Sequence, residues 1–105
     1  MESPITSFHW NDTNGNPAGG STYGHGFAIS WQNGPLNEPG GGRNGAFVEE
    51  VIEAALDRLI WYQTTRFQCQ ENAEAAGHLN AALSDLHRRT SRRVAAGVEG
   101  THKGI

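Results

Sequence analysis

Apolar side chains recur at helical spacing over residues 46–63 and predict the first helix of the chain. Positions three or four residues apart share one face of an α-helix, so this spacing is typical of a packed stripe. Leu56 and Ile60 widen the stripe, which indicates burial on more than one side. The stripe itself consists of Val48, Val51, Ile52, Ala55, Leu59 and Tyr62.

A longer helix is predicted from residue 70 to residue 96, with Gly97 as its stop signal. The short connection between the helices makes them antiparallel neighbours. A helix of about 27 residues spans roughly 40 Å, which is more than the first helix covers. Its far end therefore needs another surface, and a partner subunit is the natural candidate. Its stripe consists of Asn72, Ala75, Ala76, Leu79, Ala82, Leu83, Leu86 and Val94.

The first 45 residues hold all four prolines and most of the glycines, and they predict short strands. Residues 5–10 alternate weakly between apolar and polar, whereas residues 27–31 alternate cleanly. We expect two antiparallel strands with a mobile connection. Because an isolated hairpin is marginal in water, it must pack on the helices or join a partner's sheet. The run 33–45 is interpreted as a linker or a flap.

These elements predict an α+β fold, in which a small N-terminal antiparallel β-region precedes a long antiparallel α-helical hairpin. Residues 1–45 form the β-region and linker, and residues 46–105 form a helical hairpin domain with a basic C-terminal end. A chain of 105 residues with 36% apolar composition builds a thin core, so oligomerisation is expected.

Cysteine content and hydropathy indicate the cellular compartment in which the protein acts. Cys69 is the only cysteine, which excludes an internal disulfide and favours a reducing compartment. Its lack of a neighbouring histidine favours a small packed thiol. The sequence has no apolar run of membrane-spanning length and no signal-peptide pattern. We expect a cytosolic protein with no membrane partner.

Charge is concentrated near the end of the second helix. The chain has a formal net charge of -3, yet Arg88, Arg89, Arg92 and Arg93 fall within six positions. A long nucleic acid favours charge spread along a face, whereas a small phosphorylated ligand needs a few guanidinium groups in one place. The pattern therefore favours a small anion. The alternative is a solvated helix end whose arginines complement the C-terminal dipole.

Catalytic and metal-binding patterns are missing from the sequence. None of the five histidines pairs at i, i+4 on a helix with a glutamate base, and the triple glycine at 40–42 is not followed by the residues of a phosphate loop. Neither Ser21 nor Ser30 has a plausible base. We predict a protein that is not an enzyme, with no catalytic residues, no metal site and no cofactor.

Two positions on the hairpin are suited to a nucleobase. Tyr62, at the end of the first helix, offers an aromatic face for stacking, with hairpin core as the alternative role. Asn72 offers an amide that reads a base edge, with capping or loop tethering as the alternative. Arg89 lies 17 positions further along the helix, about 25 Å from Asn72. If both contact one small ligand, it lies between two subunits, which predicts symmetric dimers with paired sites.

Several segments resemble a known family, the helical hairpin shared by phage anti-CBASS and Thoeris anti-defence sponge proteins. The resemblance covers about residues 46–102 and is most specific in the tail at its end. The aromatic, amide and arginine spacing of Tyr62, Asn72 and Arg89–Thr90 is similar to the nucleotide pocket of the Thoeris branch. The segments that carry the resemblance are 67–73, 81–90, Arg93 and the tail from Gly97 to His102, with a looser match at 31–35.

The resemblance implies a protein that binds a cyclic nucleotide immune signal and holds it without cleaving it, in the cytoplasm of the bacterial host. Glycocyclic ADP-ribose is the implied ligand, and cyclic di- or trinucleotides are bound by related members at a separate site. The implied assembly is a homo-oligomer, either a dimer or a hexamer built as a trimer of dimers.

Residue roles also follow from the resemblance. It implies that Tyr62 stacks on adenine, Asn72 binds base or ribose, and Arg89, followed by Thr90, binds phosphate. Arg93 is implied as a second anion contact. The family pocket also receives an arginine from the N-terminal region; either Arg43 supplies it or this member lacks it.

Two other classes of protein stay open from the sequence alone. A nucleic-acid-binding module would use the arginine cluster, although the acidic first helix and the shortage of lysine argue against it. A structural or assembly protein would use the helices as a bundle, but that role leaves the arginine cluster and the tail unexplained.

Overall fold

A computed structural model describes residues 4–36 and 42–101. Part of the predicted linker, 37–41, and the last residue of the tail motif, His102, lie outside the described residues. The chain divides into two compact units, one comprising Met1–Phe47 with Gly97–Ile105 and the other comprising Val48–Ala96. The first unit carries the sheet and the second carries the helical hairpin, so the predicted α+β class is confirmed.

The sheet unit contains three antiparallel strands in the order β1 (Thr6–Asn11), β2 (Pro17–Gly24) and β3 (Phe27–Trp31). The prediction of two strands was therefore wrong, because it missed the strand β2. The segment from Pro17 to Gly24 has small and polar residues instead of an alternating apolar pattern, and it nevertheless forms the central strand. Gly26, with φ of 89°, lies in the two-residue turn between β2 and β3.

Two adjacent glycines explain why β2 is central. A Cβ at Gly19 would lie 2.7 Å from Cζ2 of Trp10, and a Cβ at Gly20 would overlap the carbonyl oxygen of Phe8. Both glycines are buried. β1 therefore approaches β2 at a distance that only glycine permits.

A buried threonine connects all three strands. Thr22 of β2 is 8% exposed, and its Oγ1 accepts a hydrogen bond of 2.8 Å from the indole nitrogen of Trp31 on β3. The same oxygen lies 3.0 Å from Oγ of Ser7 on β1. A buried hydroxyl with two partners avoids the cost of an unsatisfied polar group and fixes the strands in register.

The loop after β3 is closed at its base by one side chain. Nε2 of Gln32 donates to the carbonyls of Gly34 (3.2 Å) and Gly42 (2.6 Å). Its Oε1 accepts from the backbone nitrogens of Asn44 (3.0 Å) and Gly45 (3.2 Å). The segment interpreted as a linker or a flap therefore has hydrogen-bonded ends, as an Ω-loop does.

The hairpin unit consists of α1 (Val48–Tyr62) and α2 (Gln70–Ala95), close to the predicted bounds. Gly97 follows the last turn with φ of 72°, which confirms the predicted stop. Leu56 of α1 and Leu83 of α2 are the buried hydrophobic residues of the described chain. Ile60 is 52% exposed, so the expected burial of α1 on a second side is not seen within one chain.

Candidate functional site

Two threonine hydroxyls form hydrogen bonds with the last carbonyls of the first helix, at the turn of the hairpin. Oγ1 of Thr64 donates to the carbonyl of Trp61 at 2.7 Å, and Oγ1 of Thr65 donates to that of Tyr62 at 2.6 Å. The same two carbonyls also accept from the backbone nitrogens of Thr64 and Thr65, each at 3.0 Å, so the hydroxyls add a second hydrogen bond at the helix end. The Thr64-Thr65 pair therefore fixes the backbone at Tyr62, the predicted stacking residue.

A glutamine amide then closes the turn. Nε2 of Gln63 donates to the carbonyl of Cys69 at 3.0 Å, and its Oε1 accepts from the Cys69 nitrogen at 3.1 Å. Two bonds from one amide hold the end of α1 next to the start of α2. Tyr62 and Asn72 consequently belong to the same end of the hairpin.

The second helix is capped by a cysteine instead of an asparagine. Cys69 has extended backbone angles, and its Sγ accepts from the Asn72 nitrogen at 3.4 Å. The thiol is exposed, so the expectation of a packed thiol was wrong. Among the described residues, the Asn72 carboxamide has no hydrogen-bond partner. In this part of the chain it is therefore the backbone nitrogen of Asn72, and not its carboxamide, that takes part in capping α2.

Sequence reasoning missed an arginine beside the stacking residue. The guanidinium carbon of Arg58 lies 4.5 Å from the ring centroid of Trp61 and 5.0 Å from that of Tyr62. The two rings are themselves 5.4 Å apart at 52°. An arginine three and four residues before two aromatics was the signal, since those positions are neighbours on a helix. The turn end of the hairpin thus carries aromatic rings and a cation.

Three residues of the arginine cluster, Arg88, Arg89 and Arg92, line an open groove of about 300 Å³ near the other end of α2, together with the carboxylate of Asp85. Arg88 donates to Asp85 at 2.7 Å, and both side chains are well exposed, so this ion pair contributes little stability. In the part of the chain that the structure describes, the Arg89 guanidinium makes no hydrogen bond or ion pair. Arg89 is therefore the arginine of this groove that can accept an anion without first losing a partner.

The packed stripe of α2 ends differently from the prediction. Thr90 is half-buried and Arg93 is only 7% exposed, whereas Val94 is 61% exposed. At about 100° per residue, Arg93 lies about 20° from Leu86 and Val94 lies about 20° from Leu83, so both positions fall on the stripe and helical spacing alone does not decide which is buried. The expected packing of Val94 is not seen within one chain. Arg93 already has an interaction partner, as does Arg92.

The predicted site residues lie in three places, which are the turn end of the hairpin, the distal part of α2 and the sheet unit. Tyr62 and Asn72 lie at the turn end of the hairpin, while Arg89, Thr90 and Arg93 lie about 25 Å or more along α2 from Asn72. One chain therefore does not bring the two sets together.

Arg43 lies in the sheet unit, outside the hairpin. Its Nε donates to the carbonyl of Gly45 at 2.7 Å, and its guanidinium carbon lies 4.4 Å from the ring centroid of Phe47. The side chain is exposed.

The described ranges show neither a metal-binding cluster nor a membrane-spanning helix. No three histidine, cysteine, aspartate or glutamate side chains there come close enough together to hold a metal ion. Neither helix combines the length and apolar character needed to cross a membrane, judged over those same residues.

Comparison with known proteins places this hairpin in a family. The chain is 41% identical over 75 residues to Thoeris anti-defense 1 of Bacillus phage SBSphiJ7. That match covers 71% of this chain and 51% of the relative, so the chain spans about half the relative's length. A family model for the Acb2/Tad1 hairpin domain matches residues 24–91, which include all of α1 and most of α2. The resemblance predicted from the sequence is confirmed, and the chain belongs to the Acb2/Tad1 hairpin-domain family.

Proposed function

We propose that the protein is a phage-type anti-defence sponge, which binds a cyclic nucleotide immune signal and sequesters it without cleaving it. Family membership and a relative named for Thoeris anti-defence support this proposal. Glycocyclic ADP-ribose is the first candidate ligand, and cyclic di- or trinucleotides are the second. Sequestration in the cytoplasm of the bacterial host would keep the signal from Thoeris or CBASS effectors.

The observation that carries the proposal is the uncommitted guanidinium of Arg89 in a groove that Arg88 and Arg92 also line. A guanidinium group forms two parallel hydrogen bonds with a phosphate, and these charge-assisted bonds are stronger than neutral ones. Thr90, the next residue, supplies a hydroxyl on the half-buried side of the helix. Arg89 is accordingly proposed as the main phosphate contact.

Base recognition is proposed at the turn end of the hairpin. The ring of Tyr62 stacks on adenine, and the free carboxamide of Asn72 bonds to the base edge or the ribose. Arg58 already lies near the Tyr62 ring, so the base stacks on the remaining surface of that ring.

Assembly follows from the distance between these two ends. Because about 25 Å separates Asn72 from Arg89, one small ligand reaches both only between two chains. Large exposed apolar side chains, including Ile60, Trp61 and Val94, are surfaces that an oligomer would cover. We propose an even-numbered homo-oligomer, either a dimer or a trimer of dimers. Arg93 is proposed as a second anion contact that exchanges its present partner, and Arg43 as the contribution from the N-terminal region.

Native mass spectrometry with a panel of cyclic nucleotides tests ligand and stoichiometry together. We expect an even-numbered oligomer that retains a cyclic nucleotide, and heating should release that nucleotide chemically intact. A stable monomer would contradict the assembly. Release of a linearised or hydrolysed nucleotide would show an enzyme instead.

Substitution of adjacent arginines tests the pocket itself. We expect Arg89→Ala to weaken ligand binding by about 2–4 kcal/mol, because the phosphate loses its fork in a partly dry site. Arg88→Ala is the matched control and should matter less, since Arg88 already pairs with Asp85. Titration calorimetry measures both. Equal losses would show a diffuse positive field, and loss of the oligomer in Arg89→Ala would show a subunit contact instead of a ligand residue.

A further inference from the structure

A second cavity lies in the sheet unit, and none of the residues proposed for the nucleotide lines it. It is a shallow, open depression with a volume of about 360 Å³. It is formed by strands of the sheet and by the closed base of the loop that follows β3. The residues that matter to its chemistry are Trp10, Gly19, Ser21, Ser30, Asn33 and Asn44.

Glycine at position 19 permits the shape of this cavity. A Cβ there would lie 2.7 Å from Cζ2 of Trp10 and 3.3 Å from Cβ of Asn33. The indole ring and the asparagine side chain therefore both approach Gly19 closely. The ring nevertheless keeps half of its surface open, because Trp10 is 51% exposed.

The backbone of Asn33 is held in place by its neighbour across the loop base. Oδ1 of Asn44 accepts from the Asn33 nitrogen at 2.7 Å, and Nδ2 of Asn44 donates to the Asn33 carbonyl at 2.8 Å. These bonds use the amide of Asn44 and leave that of Asn33 unused. The backbone that carries this exposed amide is therefore held in place, while the amide itself has no hydrogen-bond partner among the described residues.

Four polar groups around the cavity have no hydrogen-bond partner in the described parts of the chain. Over the described parts of the chain, no hydrogen bond is made by Nε1 of Trp10, Oγ of Ser21, Oγ of Ser30 or the carboxamide of Asn33. Together they offer donors and acceptors without any charge. No Asp, Glu, Lys, Arg or His lines the cavity within these ranges, so a phosphate or carboxylate would find no counter-charge there.

We propose that this cavity binds a neutral sugar ring. The exposed part of the half-open Trp10 indole suits the apolar C–H face of a sugar, since aromatic rings supply rigid apolar contact area. The amide of Asn33 and the two serine hydroxyls suit the ring hydroxyls, because each of these groups both donates and accepts. The ring comes either from a free saccharide or from the ribose of a nucleoside, since both present the same chemistry.

Titration followed by ¹⁵N NMR tests the proposal on the full chain. The probes are the methyl glycosides of glucose, galactose, mannose and ribose, together with adenosine and free adenine. We expect at least one glycoside to shift the Trp10 indole and Asn33 side-chain signals saturably, with a Kd of about 1–10 mM. A response to methyl riboside and adenosine alone would identify ribose. Shifts by adenine without any glycoside response would overturn the proposal, as would no saturation by about 100 mM.

Matched variants locate the binding to this cavity. Trp10→Ala and Asn33→Ala should each weaken glycoside binding by about tenfold or more, the loss typical of a central contact. Phe27→Ala removes an exposed aromatic of β3 on the opposite face of the sheet from Ser30, and Asn80→Ala removes an exposed amide of α2, so both should bind normally. Arg89→Ala should also leave glycoside binding unchanged, which separates this site from the nucleotide pocket. If Trp10→Ala instead dissociates the oligomer, the cavity is a subunit contact and the proposal fails.

Discussion

The sheet unit and the hairpin unit are stabilised in different ways. In the sheet unit, strands approach across the buried glycines 19 and 20, and a buried hydroxyl at Thr22 bonds to two neighbouring strands. In the hairpin unit, side chains at helical spacing pack along two helices, with Leu56 and Leu83 as the buried hydrophobic residues. The sheet therefore depends on where side chains are absent, whereas the hairpin depends on where they recur.

This difference decides how each unit responds to an added methyl group. A Cβ at Gly20 meets the backbone of β1, and backbone cannot rotate away as a side chain can. A Cβ at Gly77 of α2 meets nothing within 4 Å. The same substitution of glycine by alanine is therefore expected to have opposite signs in the two units.

Gly20→Ala should have the largest effect on stability. We expect it to destabilise the sheet unit by about 3 kcal/mol, at the upper end of the cost of overpacking, because strand β1 must move. Unfolding in urea, followed by the fluorescence of Trp10 and Trp31 in a Trp61→Phe background, measures this loss.

The neighbouring residue provides the control for that measurement. Ser21→Ala keeps a Cβ and removes a hydroxyl that has no partner in the described chain, so stability should stay within about 0.5 kcal/mol. If Gly20→Ala were equally mild, the close approach of β1 to β2 would not be a constraint on the fold.

The hairpin was predictable from the sequence because its signal is local. The helical periodicity and the stop residue Gly97 predicted the bounds of both helices to within two residues. The short turn predicted their antiparallel arrangement. The position of the stripe at the end of α2 was not predictable in the same way. Apolar character favoured Val94, yet Arg93 is the buried residue of that pair, and both positions lie within the angular range of the stripe, so periodicity alone did not distinguish them.

The sheet was less predictable because its signals depend on tertiary contacts. Nothing local marks Gly19 and Gly20 as a central strand, since their role is to accommodate side chains and backbone of β1. The closure of the loop by Gln32 also depends on residues ten or more positions away. In the candidate site, the residue types of Tyr62, Asn72 and Arg89 could be recognised from the sequence. Only the structure shows that the Asn72 amide and the Arg89 guanidinium have no hydrogen-bond partner among the described residues.

The loop amides allow the two units to be compared by the same substitution. Gln32 makes four hydrogen bonds across its loop, whereas Gln63 makes two across the hairpin turn. With a net contribution of about 0.6 kcal/mol for each bond, near the lower end of the usual range, Gln32→Ala should cost about 2.4 kcal/mol and Gln63→Ala about 1.2 kcal/mol. Thermal unfolding of both variants measures the difference.

Gln68→Ala serves as the reference for the pair. Gln68 is exposed, and its side chain has no hydrogen-bond partner among the described residues, so its loss should be nearly neutral. If Gln63→Ala cost as much as Gln32→Ala, then the hairpin turn would depend on side-chain bonds as strongly as the sheet unit does.

Gly77→Ala should have the smallest effect and the opposite sign. Gly77 lies inside α2, is exposed and has no left-handed backbone angle, so alanine fits without strain. Alanine also restricts the unfolded chain and favours helix, which should stabilise the hairpin by about 0.5–1 kcal/mol. Urea unfolding followed by far-UV circular dichroism measures the gain, and sedimentation measures the assembly in the same samples. A loss of stability together with dissociation would mean that Gly77 lies at a close contact between subunits. In that case the hairpin, like the sheet, would depend on a missing side chain, and the contrast between the two units would hold only within a single chain.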